Sequence, residues 1–395
     1  RNSSSEFGKQ HSFGSIGSVE EYQRAVPMRD YEQLSPYIER CKAGEKSVLT
    51  ADDPFMFATT SGTTANPKFI PITRDYIEEF RLASVITGYH LLKTFPRMSR
   101  GVTLSVVSPA EEGRTESGVP YGAISGQLFQ HEPFLIKKYI SPIPYEVFLI
   151  GDCESRYYTL LRLALGLQLS CLYTLNPSTI TLLCRRLQLH ADRLIDDVRK
   201  GKISPPAALP GSTLKAIGGF LSPDGARADK LAALLSAGQF VPHRIWPELA
   251  VVSCWTKAAA SFYLADFPEY FGSVPVSDIT YGASEGRGTV FMGPEQQMLA
   301  IQSHFFEFVP EDEIDAPNPN FLLAEEVEVG KCYYLLFTTS GGLYRYNIND
   351  VMKVTGFFNG TPLLEFQYKG GNISSFTGEK ITEFQVTQAM RTAAE

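Results

Sequence analysis

The sequence predicts an α/β protein in which helix-flanked β-sheets are followed by a β-rich subdomain. Three observations predict it. Strand-like and helix-like segments alternate between Gly101 and Pro275, a pattern that lays helices on the faces of a sheet. From Ile279 onward, strand-like runs follow one another with few helices between them. The length of 395 residues also exceeds the size at which one hydrophobic core stops growing, so two or more compact parts are expected.

The elements follow in order. Charged amphipathic stretches at Val19–Arg24 and Tyr31–Lys42, separated by Pro27, read as short helices. Pro54–Thr60 reads as a short strand running into a hydroxyl-rich loop. Thr73 is placed to cap the next helix, with Asp75 in its first turn. Apolar residues at Tyr76, Ile77, Phe80, Leu82, Val85 and Ile86 then give that helix a buried face. Gly101–Val107, Tyr145–Ile150 and Ser170–Leu175 read as strands, Glu154–Leu167 and Ser178–Val198 as helices. The Pro-rich stretch Lys200–Gly211 reads as a linker or mobile loop. In the last third the strand-like runs are His304–Val309, Cys332–Thr338, Val351–Phe358 and Leu364–Tyr368.

Composition excludes several classes. A hydrophobic content of 44% with 20% charged residues is that of a soluble globular protein. The net charge of −7 offers no phosphate-neutralising surface, so no nucleic-acid partner is expected. No apolar run approaches the ~20 residues that cross a bilayer, so no membrane partner is expected either. The opening Arg1-Asn2-Ser3-Ser4-Ser5-Glu6 is polar and reads as no signal peptide. Cys41, Cys153, Cys171, Cys184, Cys254 and Cys332 are dispersed, form no CxxC and read as free thiols, which points to the cytoplasm. The six histidines form no HxH or HxxxH pair, so no zinc site is expected.

Three separated segments carry chemistry. In Thr59-Thr60-Ser61-Gly62-Thr63-Thr64-Ala65-Asn66-Pro67-Lys68, successive hydroxyls and a glycine supply backbone N–H and side-chain O–H groups to surround phosphate oxygens. Lys68 adds a neutralising charge. The segment is not a P-loop, because no Gly-Lys-Ser/Thr follows; its plainer reading is a Ser/Thr-rich turn. In Tyr281-Gly282-Ala283-Ser284-Glu285-Gly286, an aromatic ring can stack on a purine, a hydroxyl can reach an α-phosphate and a carboxylate can hold Mg²⁺ beside phosphates. The plainer reading there is a Gly-flanked turn. In Tyr344-Arg345-Tyr346-Asn347-Ile348-Asn349-Asp350, the Asp350 carboxylate can accept both ribose hydroxyls, against the alternative of a hairpin tip.

The first segment resembles the phosphate-binding signature of the adenylate-forming superfamily, Thr-Ser-Gly-Thr-Thr-Gly-x-Pro-Lys, with Ala65 in place of the second glycine. The second resembles its Tyr-Gly-x-Thr/Ser-Glu signature. The third resembles Tyr-Arg-x-x-x-Gly-Asp, with Asn349 where glycine is usual. Asn is the substitute that best tolerates a left-handed turn. Within that superfamily, Leu343-Tyr344-Arg345-Tyr346, the segment Gly378-Glu379-Lys380-Ile381-Thr382-Glu383 and the opening Glu6-Phe7-Gly8-Lys9 resemble the Gretchen Hagen 3 family of acyl acid amido synthetases. So do Val26-Pro27-Met28-Arg29-Asp30-Tyr31 and Pro36-Tyr37-Ile38.

The resemblance implies an enzyme that uses ATP and Mg²⁺ to convert a carboxylic acid into an acyl-adenylate, then passes the acyl group to an amino acid or another amine. It implies phosphate contacts from Thr60, Ser61, Gly62, Thr63, Thr64 and Lys68, nucleotide contacts from Tyr281, Ser284 and Asp350, and a metal ligand in Glu285. It puts Lys369 at a hinge and Lys380 near the α-phosphate or the carboxylate oxygen, with Trp255 as a wall of the acyl pocket or else a core tryptophan. It also implies a large adenylation domain over 1–368, with an α/β part to about 280 and a β-rich part beyond. The hinge and the start of a small C-terminal domain then fall in 369–395. Two rivals share part of this reading: an acyl-CoA ligase with the same first half-reaction, and a regulatory nucleotide-binding protein without chemistry.

Overall fold

The structure, a computed structural model, describes residues 1–60, 67–370, 373–375, 380–382 and 389, with 373–375 and 380–382 described by their backbone. Buried apolar residues gather into units that are discontinuous in sequence. One comprises Arg1–Leu91, Ala110–Leu128 and the chain from Thr280 onward; the other comprises Leu92–Pro109 and Phe129–Ile279.

The second unit is built on a parallel sheet ordered Val102–Val106, Leu169–Thr174, Val251–Cys254, Val276–Asp278. Its two inner strands are buried nearly throughout, which is why they read as apolar runs without alternation. Helix Cys153–Leu165 starts where Asp152 accepts a hydrogen bond from the Ser155 backbone at 2.8 Å, and buries Tyr158 and Leu160 through Leu165 in the core.

Three expectations change in this unit. Tyr145–Ile150 is not a strand: Pro142 and Pro144 remove ladder donors, and Tyr145–Val147 forms a tight turn of 3-10 helix from Pro144. Ser178–Val198 is two helices, Pro177–Leu189 and Ala191–Lys200, meeting at His190, whose backbone leaves the helical region. Lys200–Gly211 lies within the unit and is anchored. Asp197, fully buried, accepts hydrogen bonds from Tyr158 Oη at 2.7 Å, from the Ser204 backbone at 2.6 Å and from Ser204 Oγ at 2.8 Å.

The first unit carries an antiparallel six-stranded sheet, ordered Thr289–Gly293, Gln296–Leu299, Thr361–Lys369, Tyr346–Phe358, Cys332–Thr338, Phe305–Pro310. A second sheet is ordered Lys68–Ile72, Met56–Thr60, Pro120–Gly122, Gly113–Arg114. The strand Lys68–Ile72 has no counterpart in the sequence reading, because Pro71 interrupts a short run. Helix Arg74–Thr94 begins as expected, with the Thr73 hydroxyl accepting from the Tyr76 backbone at 3.3 Å. Tyr76, Phe80, Ala83 and Thr87 form its buried face, whereas Leu82 and Val85 are exposed.

The N-terminal segment is fastened to the large sheet of its own unit. Arg29 bridges Tyr346 in parallel, and Asn2 donates to Tyr344 Oη at 2.9 Å. Arg345, 1% exposed, sits in the left-handed region at φ 49°. It donates to the carbonyls of Gln23 at 2.8 Å and Val26 at 2.6 Å and pairs with buried Glu307 at 2.9 Å. Glu307 in turn accepts from Gln23 Nε2 at 2.9 Å.

Candidate functional site

The site is assembled from residues of the first unit. Thr60 ends its strand directly opposite Lys68 in the antiparallel ladder, so the hydroxyl-rich segment connects two strands, where a connection between strand and helix was expected. Ser61, Gly62, Thr63 and Thr64 lie outside the described residues. The Lys68 ammonium stands 5.2 Å from the centre of the Tyr31 ring, within range of a cation–π attraction. Tyr31 is fixed in turn: it opens helix Tyr31–Lys42 behind the Asp30–Gln33 capping box, and its hydroxyl accepts from the Phe69 backbone at 2.8 Å.

The second segment folds into a small antiparallel hairpin. Gly282 and Ala283 pair with Arg287 and Gly286, leaving Ser284 and Glu285 at the turn. Glycine is required here by close approach. A Cβ on Gly286 would lie 2.6 Å from the Phe337 ring, and one on Gly288 would lie 2.4 Å from the Tyr281 ring. The Ser284 carbonyl accepts from Tyr76 Oη at 2.7 Å. The Tyr281 ring is stacked on Phe366 with centroids 5.8 Å apart.

Glu285 is only 6% exposed. Burial pushes its carboxyl up from the ordinary carboxylate range, and the charge of Asp350 pushes the same way. Lys369 and Lys68 oppose the shift.

Asp350 lies within strand Tyr346–Phe358, opposite Lys369 in the register, so it is not a hairpin tip. Its Oδ2 accepts from Tyr281 Oη at 2.6 Å and its Oδ1 from Lys369 Nζ at 2.8 Å. Lys369 also donates to the Ile348 carbonyl at 3.2 Å, so this lysine is a partnered cation at the end of its strand. Asn349 takes the left-handed conformation at φ 67°, as expected of asparagine at a glycine position. Lys380 begins the backbone-described strand Lys380–Thr382, paired with Ile373–Ser375.

Several site residues escape the sequence reading. Tyr346 is fully buried with a hydroxyl that has no partner among the described residues, and burial foremost, then the Glu285 charge, pushes its ionisation far up. Tyr31, Tyr76 and His304 join through packing; Tyr76 lies on the predicted buried face of its helix and Tyr31 in a segment that carries the resemblance, but no local pattern marks their contacts with the site. In the second unit, Trp246 is a core residue whose indole donates to the Ala164 carbonyl at 3.1 Å. Trp255, 39% exposed, follows the carboxyl end of strand Val251–Cys254.

Among the described residues no group of three or more His, Cys, Asp or Glu side chains stands ready to hold a metal. Mg²⁺ is commonly held by one or two carboxylates together with phosphate oxygens. Asp350 is committed to Tyr281 and Lys369, so buried Glu285 would supply the one carboxylate, which fits an ion that arrives with a polyphosphate. Also among the described residues, no helix is long and apolar enough to cross a membrane.

Residues 1–276 match the GH3 family N-terminal domain and residues 297–369 the GH3 family central domain. The chain is 26% identical to an indole-3-acetic acid-amido synthetase, GH3.8, of Oryza sativa subsp. indica, over 94% of this chain and 65% of that protein. It is 27% identical to a jasmonoyl–L-amino acid synthetase, GH3.5, of Oryza sativa subsp. japonica, over 100% of this chain and 72% of that protein. Among solved structures, the GH3.15 acyl acid amido synthetase superimposes with a TM-score of 0.85 at 22% identity, covering 100% of this chain and 70% of that one. The chain thus spans about two thirds of the length of these proteins.

Proposed function

This chain belongs to the GH3 family, and from that premise we propose that it takes part in ATP-dependent joining of a carboxylic acid to an amino acid through an acyl-adenylate. The observation that carries the proposal is the hydrogen bond of 2.6 Å from Tyr281 Oη to Asp350, which joins the second and third segments beside Lys369, itself 2.8 Å from Asp350. Relatives named as amido synthetases acting on indole-3-acetic acid and on jasmonate support a small organic acid as the donor. The six cysteines, all free thiols, agree with a cytoplasmic setting.

In the first half-reaction a carboxylate oxygen attacks the α-phosphorus of ATP, and pyrophosphate leaves. Thr60, Ser61, Gly62, Thr63, Thr64 and Lys68 take the phosphates, and Lys68 offsets the charge of the leaving group. Glu285 holds Mg²⁺, which supplies further charge neutralisation when bound. Tyr281 and Ser284 position the base and the α-phosphate. In the second half-reaction the amine nitrogen attacks the acyl carbonyl, a C–N bond forms, AMP departs with the C–O electron pair, and the nitrogen loses a proton. Lys380 stabilises charge on the phosphate and carbonyl oxygens. Lys369 sits at the hinge, and we place the start of the small C-terminal domain there.

Asp350 takes the ribose hydroxyls. Its oxygens already accept from Tyr281 and Lys369, but each carboxylate oxygen has a second lone-pair site. Charge-assisted hydrogen bonds contribute ~1.5–3 kcal/mol, so Asp350→Ala should weaken ATP binding about ten- to a hundredfold. Calorimetry with ATP and with 2′,3′-dideoxy-ATP checks it: the variant should bind the two about equally. Continued preference for ATP would assign the ribose to another residue.

The acceptor is tested by products. ATP–pyrophosphate exchange across aryl and aliphatic acids first finds the donor. Mass spectrometry of reactions holding mixed amino acids and coenzyme A in equal amounts should then show the amide and little thioester. A dominant acyl-CoA product would overturn the amide reading and leave adenylation standing.

A further inference from the structure

The hairpin that presents Glu285 is gripped on both sides of that residue by side chains that the reaction as proposed does not use. On one side the Tyr76 hydroxyl donates to the Ser284 carbonyl at 2.7 Å. On the other, His304 Nε2 accepts the Arg287 backbone N–H at 3.1 Å. These rings lie against each other, with centroids 5.6 Å apart and planes at 22°. Because Nε2 accepts, a neutral His304 carries its proton on Nδ1, and that nitrogen faces Glu79 Oε2 at 3.4 Å.

Glu79 is itself anchored, accepting from Ser340 Oγ at 2.7 Å. The carbonyl of Ser340 accepts from Thr73 Oγ1 at 3.2 Å, the cap of the helix that carries Tyr76 and Glu79. Tyr76 is fully buried, and burial holds its phenol protonated, with the negative charges of Glu285 and Glu79 acting in the same sense. It therefore remains a donor at any ordinary pH. A cluster that merely filled the core would bond within itself. Here two bonds leave the cluster for the backbone of the span 284–287 and straddle the buried carboxylate.

We propose that Tyr76 and His304 are positioning residues that hold the Ser284–Glu285 turn so that the Glu285 carboxylate meets a nucleotide-bound divalent cation. The proposal rests on Glu285 being the cation ligand. It gives a chemical reason for the histidine: a fully buried ring packed against Tyr76 presents a fixed acceptor, which suits a turn whose displacement by about 1 Å would misplace the metal.

Titration calorimetry of ATP at stepped Mg²⁺ concentrations, on the whole protein, tests it without knowledge of the acid. Tyr76→Phe, which removes one hydroxyl, should lose about three- to tenfold of ATP affinity at saturating Mg²⁺ and almost none without Mg²⁺. His304→Leu should lose at least as much, while His304→Gln, whose amide oxygen can accept from Arg287, should return close to wild type. Wild-type Mg²⁺ dependence in Tyr76→Phe would overturn the proposal, as would an equal loss with and without Mg²⁺. If His304→Leu does not fold, Tyr76→Phe still decides. Glu285→Gln, titrated alongside, separates the two levels. If it abolishes the Mg²⁺-dependent gain while Tyr76→Phe keeps it, the positioning proposal falls alone. If Glu285→Gln keeps the gain, the ligand assignment falls.

Discussion

Glu285→Gln should reduce ATP–pyrophosphate exchange about a hundred- to a thousandfold while leaving the fold intact. The magnitude is that of removing one preorganised electrostatic group from a water-poor site. The substitution keeps the side-chain volume, so the hairpin between Tyr281 and Arg287 loses no packing. What goes is the negative charge that burial makes costly and that a bound cation would repay. A neutral amide at 285 removes that cost, so the variant should be at least as stable as the wild type. Loss of exchange in a protein with an unchanged or raised denaturation midpoint would separate function from folding cleanly. A folded variant with near-wild-type exchange would sink the assignment.

The largest effect on stability is expected at Arg345. Its guanidinium pairs with Glu307 at 2.9 Å, each side chain being 1% exposed, and also lies 3.9 Å from the Phe321 ring centre. Arg345→Ala leaves Glu307 buried and unpaired, which costs about 3–5 kcal/mol, and it releases the carbonyls of Gln23 and Val26. Urea denaturation should show this loss in the first unit. The double variant Arg345→Met with Glu307→Leu should recover most of it, since apolar replacement of a whole buried pair is often neutral or stabilising. A loss below about 1 kcal/mol in the single variant would mean that the N-terminal segment is held by its aromatic contacts, such as the stacking of Phe7 on Tyr344.

These predictions also show what the sequence could tell. The strands Val102–Val106 and Leu169–Thr174 and the cap at Thr73 are legible because each is a local pattern of burial or hydrogen bonding, whereas Val251–Cys254 and Val276–Asp278 are not read as strands from the sequence. The three segments stand out in the sequence because the chemistry proposed for them needs contiguous residue types. The contacts of Tyr76 and His304 are not legible, although Tyr76 falls on the predicted buried face of its helix: Tyr76 reaches Ser284, 208 positions away, and no periodicity connects the two. Lys369 was legible only as a charge. Its pairing with Asp350 follows from the strand register, which tertiary packing fixes. The broken helix at His190 and the turn at Tyr145 were misread because an apolar run looks the same in a strand, in a helix or across a bend.

The interleaving of the two units has a consequence for the order of events at the ribosome. Every residue of the second unit has been made by Ile279, whereas the first unit keeps its opening residues waiting for partners that come later. Asn2 meets Tyr344 across 342 positions, and Val26 meets Arg345 across 319. At about 5–20 residues per second, the first 91 residues emerge and then wait roughly ten to fifty seconds for the strand that receives them. During that time Phe7, Val26, Leu34 and Ile38, all buried in the finished unit, have no sheet to cover them. The middle of the chain should therefore become protease-resistant before its beginning does. Stalled nascent chains ending near residue 330, which leave the second unit clear of the ribosome before Tyr344 is made, should yield a protected fragment from the second unit and none from residues 1–91. Early protection of the N-terminal segment would show that it finds a provisional shelter of its own.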